Sequence, residues 1–184
     1  MLAITRDNQP ITGSLKLLYE GDMPALLGTG ARFAMVIAGQ DYLEGSGLPD
    51  LATPIADVGA LVAALARYGF QTTASGPEGE ANLFLRNALR LEIETAHYIL
   101  SQVAGDKDTV LIFYAGHGLY EAATEGAYWM PIDGKMGLPF SYLPASASTD
   151  ALLRNKAGSV LVISDSCYSG AMLRGTDTPE AMEG

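Results

Sequence analysis

The sequence predicts an α/β protein, a mostly parallel sheet with helices on both faces. Three observations carry that prediction. Short apolar runs recur at Arg32–Gly39 (RFAMVIAG), Thr109–Tyr114 (TVLIFY) and Ser159–Ser164 (SVLVIS), each of a length suited to a strand buried on both sides. Stretches with helical spacing separate them, and alternating strands and helices build parallel sheets through crossovers. A net charge of −10 with 48% hydrophobic residues fits a folded chain of 184 residues, long enough for one core.

Residues 1–30 alternate weakly and carry several Gly and Pro; a leader with a short hairpin is expected there. After the Arg32–Gly39 strand comes a polar loop, QDYLEGSGLPDLA. Thr53-Pro54 then reads as a helix start, with a hydroxyl cap and proline in the first helical position. Val58, Leu61, Val62 and Leu65 follow at helical spacing, and Gly69 closes the helix. Phe70–Ala74 is expected to be a short strand and SGPEGE a loop. A long helix is expected from about Ala81 to Val103, with Leu85, Leu89, Ile93, Ala96, Ile99, Leu100 and Val103 on one face. Between the last two strands a hairpin is expected around AYWMPID and a helix near Thr149–Asn155. No internal repeat or low-complexity tract interrupts the pattern.

The acidic balance and a pI near 4.5 argue against a nucleic-acid groove, which needs a basic stripe. No apolar run is long enough to cross a membrane, and MLAITRDNQPITG has no secretory pattern, so a cytoplasmic location is expected. The single cysteine, Cys167, cannot form an internal disulfide and fits a reducing compartment. One cysteine and two histidines supply no zinc ligand set, and no metal site is expected. Asp22, Glu44, Glu121 and Glu125 offer oxygens of the kind calcium accepts, but without the spacing of a calcium loop. Calcium activation stays open, and no cofactor is required.

Open parallel sheets place chemistry at the carboxyl ends of their strands. TVLIFY ends in Ala115-Gly116-His117-Gly118, and SVLVIS ends in Asp165-Ser166-Cys167. A thiolate is the reactive form of cysteine and needs a base to make it; His117 on a neighbouring strand end can take the proton and return it to a leaving amine. The backbone N–H groups of Gly118 and Cys167 can donate to the developing oxyanion. Each feature alone has a plainer reading, Cys167 as an inert core residue and the GHG stretch as a turn. Both features at strand ends favour a catalytic pair. His97, inside the long helix beside Tyr98, is read as structural.

VLIFYAGHG and VLVISDSCYSG resemble the two catalytic motifs of the caspase-like cysteine peptidases, in particular the metacaspase and bacterial orthocaspase branch. The resemblance covers roughly Arg32–Gly170, including RFAMVIAG, PIADVGALVAALARYGF and AYWMPIDG. It implies a caspase-hemoglobinase fold and cleavage of proteins by a Cys–His dyad through a thioacyl-enzyme, in regulated bacterial proteolysis or defence. The caspase spacing of about 50 residues from histidine to cysteine is kept, but Ser164-Asp165-Ser166-Cys167 replaces the Gln-Ala-Cys signature.

In the metacaspase branch the acid two residues before the cysteine lines the specificity pocket, and it matches Asp165. A second pocket acid matches Asp57 in ATPIADVGAL. Two carboxylates suit a substrate arginine or lysine. The plainer readings are a helix-dipole partner for Asp57 and a turn cap for Asp165. Ala115 stands where many metacaspases have serine, and Tyr168 where histidine is common; neither position performs the chemical step.

Caspase-like folds continue past the cysteine into small-subunit strands, which residues up to Gly184 do not supply. The resemblance therefore implies a large catalytic subunit over 31–174, a polar linker or processing segment over 175–184, and a downstream small subunit or another copy pairing with the last strand. Arg174 is the candidate self-processing site. The alternatives are a catalytically silent caspase-like interaction module, which has no chemical need for His117 and Cys167, and a flavodoxin-like binder, disfavoured because AGQDYLEGSG is not a G-x-G-x-x-G loop.

Overall fold

The structure is a computed structural model that describes residues 2–3 (backbone only), 29–121, 126–147, 150 and 157–166. In chain order the strands are β1 (Leu2–Ala3), β2 (Arg32–Ala38), β3 (Phe70–Gln71), β4 (Thr73–Gly76), β5 (Gly79–Asn82), β6 (Phe84–Arg86), β7 (Thr109–Ala115), β8 (Gly118–Glu121), β9 (Gly126–Trp129), β10 (Leu143–Pro144) and β11 (Ser159–Asp165). Helix α1 spans Pro54–Ala66 and α2 spans Arg90–Val103.

The main sheet runs β1-β11-β7-β2-β3, with β6 also on the outer side of β2. β2, β7 and β11 are parallel and in register, so Ala38, Ala115 and Asp165 finish level. Strict alternation along β2 divides the core. Phe33, Met35 and Ile37 pack with Val110, Ile112, Tyr114 and the Ile93, Ala96, Ile99 and Leu100 face of α2. Ala34, Val36 and Ala38 pack on the other side with Val58, Ile55, Val62 and Leu65 of α1. The predicted mostly parallel sheet with a helix on each face is therefore the observed one. Ile112 sits fully buried at its centre. Ile112→Ala should destabilise the protein by about 2–5 kcal/mol, since a cavity adds to the lost transfer energy. Denaturant unfolding with an unchanged m-value checks this.

Several expected elements differ. Helix α2 begins at Arg90, not at about Ala81. Residues 79–82 and 84–86 are strands instead, because Gly79–Asn82 pairs antiparallel with β4 and Phe84, Leu85 and Arg86 pair in parallel with Val36, Ile37 and Ala38. Leu83 is fully buried, and its backbone bonds both Val36 and Thr72. Asn87 then breaks the strand with a left-handed backbone, φ 49°. At the helix start, Glu92 accepts the Leu89 N–H at 2.8 Å and Asp133 accepts the Arg90 N–H at 2.8 Å. These carboxylates satisfy orphan donors and complement the helix dipole.

The expected strand Phe70–Ala74 is split. β3 pairs with β2, whereas β4 turns away into an antiparallel hairpin with β5, so SGPEGE is its tip rather than a free loop. Pro54 does occupy the first turn of α1, but the Thr53 side chain makes no cap bond; Gln40 Oε1 accepts the Ile55 N–H at 3.3 Å instead.

The hairpin around AYWMPID is present as β8–β9, with β10 added at its edge. Most of the 1–30 leader, and the Thr149–Asn155 helix apart from Asp150, lie outside the described residues. The outer edge of β11 is not left wholly open: Leu2 and Ala3 pair antiparallel with Val162 and Leu161. Among the described residues no helix is long and apolar enough to cross a membrane.

Candidate active site

The site forms where β2, β7 and β11 end together. Beyond β7 the chain passes through Gly116 and His117 into β8. His117 is half-buried and held on several sides. Its Nε2 lies 2.8 Å from the Pro49 carbonyl oxygen. A carbonyl carries no hydrogen, so Nε2 is the protonated nitrogen, and in the neutral ring Nδ1 keeps the lone pair. The His117 N–H donates to the Tyr42 hydroxyl at 2.9 Å, and the Tyr42 ring lies against the imidazole, centroids 4.8 Å apart. The His117 carbonyl accepts the Tyr114 hydroxyl at 2.6 Å and the Met130 N–H at 3.0 Å.

That last bond fixes the direction of the next donor. Antiparallel pairs alternate between bonded and non-bonded positions. With His117 and Met130 bonded, Gly118 stands opposite Trp129 in a non-bonded position, and its N–H points away from β9. The strand that carries this N–H also touches the cysteine motif. A side-chain carbon on Gly118 would stand 2.7 Å from Ser166 Oγ. Ser166 Oγ in turn bonds Ser164 Oγ at 3.0 Å, which accepts the Trp129 indole N–H at 3.0 Å. The histidine and cysteine motifs are thus brought side by side. Cys167 follows Ser166 directly in the chain, but it and Arg174 lie outside the described residues.

A cleft of about 400 Å³ opens beside this point, lined by Leu51, Thr53, Asp57, Gly116, Asp165 and Ser166 among others. Asp57 projects from the first turn of α1 and Asp165 ends β11. Two acids 108 positions apart in the sequence (165 − 57) therefore face one cavity. Both are exposed to solvent.

The sequence reading did not single out Tyr42 or Pro49. The carbonyl of Pro49 leaves no mark in residue chemistry. Tyr42 lies in a polar loop with no periodicity to flag it, and only its burial in the fold shows its use. His97 lies on α2 and lines a separate cavity of about 340 Å³ with Glu94, Tyr98 and Leu143. Of the four acids considered for calcium, Glu44 is exposed and Glu121 lies in β8, while Asp22 and Glu125 fall outside the described residues. Among the described residues no three His, Cys, Asp or Glu side chains group as a metal site would require.

No curated protein matches the chain. A family model, described as the caspase domain, matches residues 31–183, most of the sequence. It spans the α/β sheet apart from β1, the histidine loop and the cleft alike. The chain belongs to the caspase domain family, a family of cysteine peptidases.

Proposed function

We propose that this protein is an endopeptidase of the metacaspase and orthocaspase branch that cleaves proteins after arginine or lysine. The observation that carries the reading is the shared cleft of Asp57 and Asp165 beside His117. An arginine fork can bond both carboxylates, and its charge offsets theirs. In the reaction, the His117 Nδ1 takes the Cys167 proton and the thiolate attacks the scissile carbonyl. The N–H groups of Gly118 and Cys167 hold the resulting oxyanion. The tetrahedral intermediate collapses to a thioester as the His117 imidazolium protonates the departing amine. Water, deprotonated by the same nitrogen, then releases the acid and restores the thiol.

A reading as a silent interaction module gives no reason for the Pro49 carbonyl to fix the His117 tautomer. Self-processing at Arg174, a small subunit or another copy over β11 and a cytoplasmic setting in bacterial proteolysis or defence belong to the same proposal, which requires no cofactor and leaves calcium activation open. A small-subunit strand would have to share or replace the contact of β1 with β11.

The test is a panel of fluorogenic peptides differing only in the residue before the scissile bond. Arginine and lysine peptides should be cleaved, and aspartate peptides, which bring like charge to the cleft, should not. Efficient cleavage after aspartate would show that the pocket is misread.

A further inference from the structure

We infer that Tyr42 is a positioning residue for His117, clamping it between the loop that follows β2 and the core below. The inference rests on the peptidase reading for its catalytic consequence, but its geometry is independent of substrate. The Tyr42 side chain is buried, its hydroxyl accepts the His117 N–H at 2.9 Å, and its ring packs against the imidazole. On the opposite side of the same residue, the Tyr114 hydroxyl donates to the His117 carbonyl at 2.6 Å. Two tyrosine hydroxyls thus hold the two polar backbone groups of one residue.

The surroundings are shaped for the Tyr42 phenol. A side-chain carbon on Gly39 would stand 2.7 Å from its hydroxyl oxygen, and one on Gly116 would stand 3.0 Å from it. Glycine at both positions is what leaves room for the hydroxyl.

The loop itself is closed and anchored. Asp50 Oδ1 accepts the Tyr42 N–H at 2.8 Å, so Tyr42 and the neighbouring Pro49, which holds Nε2, form the two ends of one ring of chain. At its foot, Asn87 Oδ1 accepts the N–H groups of Gln40 at 2.9 Å and Asp41 at 3.0 Å. Losing the Tyr42 hydroxyl strands a half-buried N–H and loosens the segment Gly116–Gly118, which carries both the base and an oxyanion donor. The cost should therefore fall on the chemical step and leave substrate binding unchanged.

Tyr42→Phe is the decisive variant because it keeps the ring and the volume. Its kcat for an arginine peptide should fall about 10-fold with KM within about twofold of wild type. Its ¹⁵N imidazole spectrum, with His97→Gln used to assign the signals, should move from a fixed Nε2–H tautomer toward a mixture. Gly39→Ala, which pushes the hydroxyl away, should reproduce the loss, and the Gly39→Ala, Tyr42→Phe double variant should cost no more than the larger single change.

An unchanged imidazole spectrum overturns the proposal, as does an unchanged kcat where the wild type is active. If the wild type cleaves no basic peptide, the peptidase reading falls and the spectrum alone decides whether Tyr42 positions His117.

Discussion

Cys167→Ala is expected to remove peptide cleavage altogether, and His117→Ala to reduce kcat/KM by about 10²–10⁴-fold. The asymmetry follows from the chemistry. Without sulfur no thioester forms, whereas without imidazole the small thiolate fraction of a free cysteine still attacks slowly. The Pro49 contact sharpens the expectation for His117, because only one ring nitrogen is left to act as base. His117→Gln therefore should not rescue activity, since its amide offers no basic nitrogen. Active-site titration with an electrophilic arginine peptide separates the two variants. His117→Ala should be labelled slowly at Cys167 and Cys167→Ala not at all. Cleavage retained by Cys167→Ala, in protein free of contaminating protease, would remove Cys167 from the mechanism.

The second large effect is on specificity. Both Asp57 and Asp165 are exposed before substrate arrives, so water screens them until a side chain fills the cleft. Once it does, each charge-assisted contact contributes roughly 1.5–3 kcal/mol. Asp57→Ala should lower kcat/KM for arginine peptides by about 10-fold, and the double variant Asp57→Ala, Asp165→Ala by about 100-fold or more. Asp165→Ala should cost more than Asp57→Ala. The Asp165 backbone is fixed by the Gly116 N–H, which its carbonyl accepts at 3.3 Å, and by pairing with Ala115, so its carboxylate is presented from a rigid strand end; alanine keeps those backbone bonds and loses the better-placed of the two carboxylates. The peptide panel measures both. An undiminished preference for arginine in the double variant would exclude these carboxylates as the pocket.

The sequence by itself determined the parts written in short-range patterns. Apolar runs fixed β2, β7 and β11, and helical spacing with Pro54 fixed α1. The two strand-end motifs marked His117 and the stretch before Cys167, since a base and a thiol stand out from the apolar runs before them. The 81–89 stretch misled because Leu85, Leu89 and Ile93 share a helical face, while Ala81, Leu83 and Leu85 alternate just as well for a strand. Hydrogen bonds from β2 decided between the two, and such bonds are invisible in a local window. The same limit applies to the site. Asp57 and Asp165 carried a resemblance, but nothing short of the parallel register and the seating of α1 put them in one cleft. The roles of Pro49 and Tyr42 were decided only by the tertiary structure. One acts through a backbone carbonyl common to every residue, and the other through a hydroxyl whose partner lies 75 residues away.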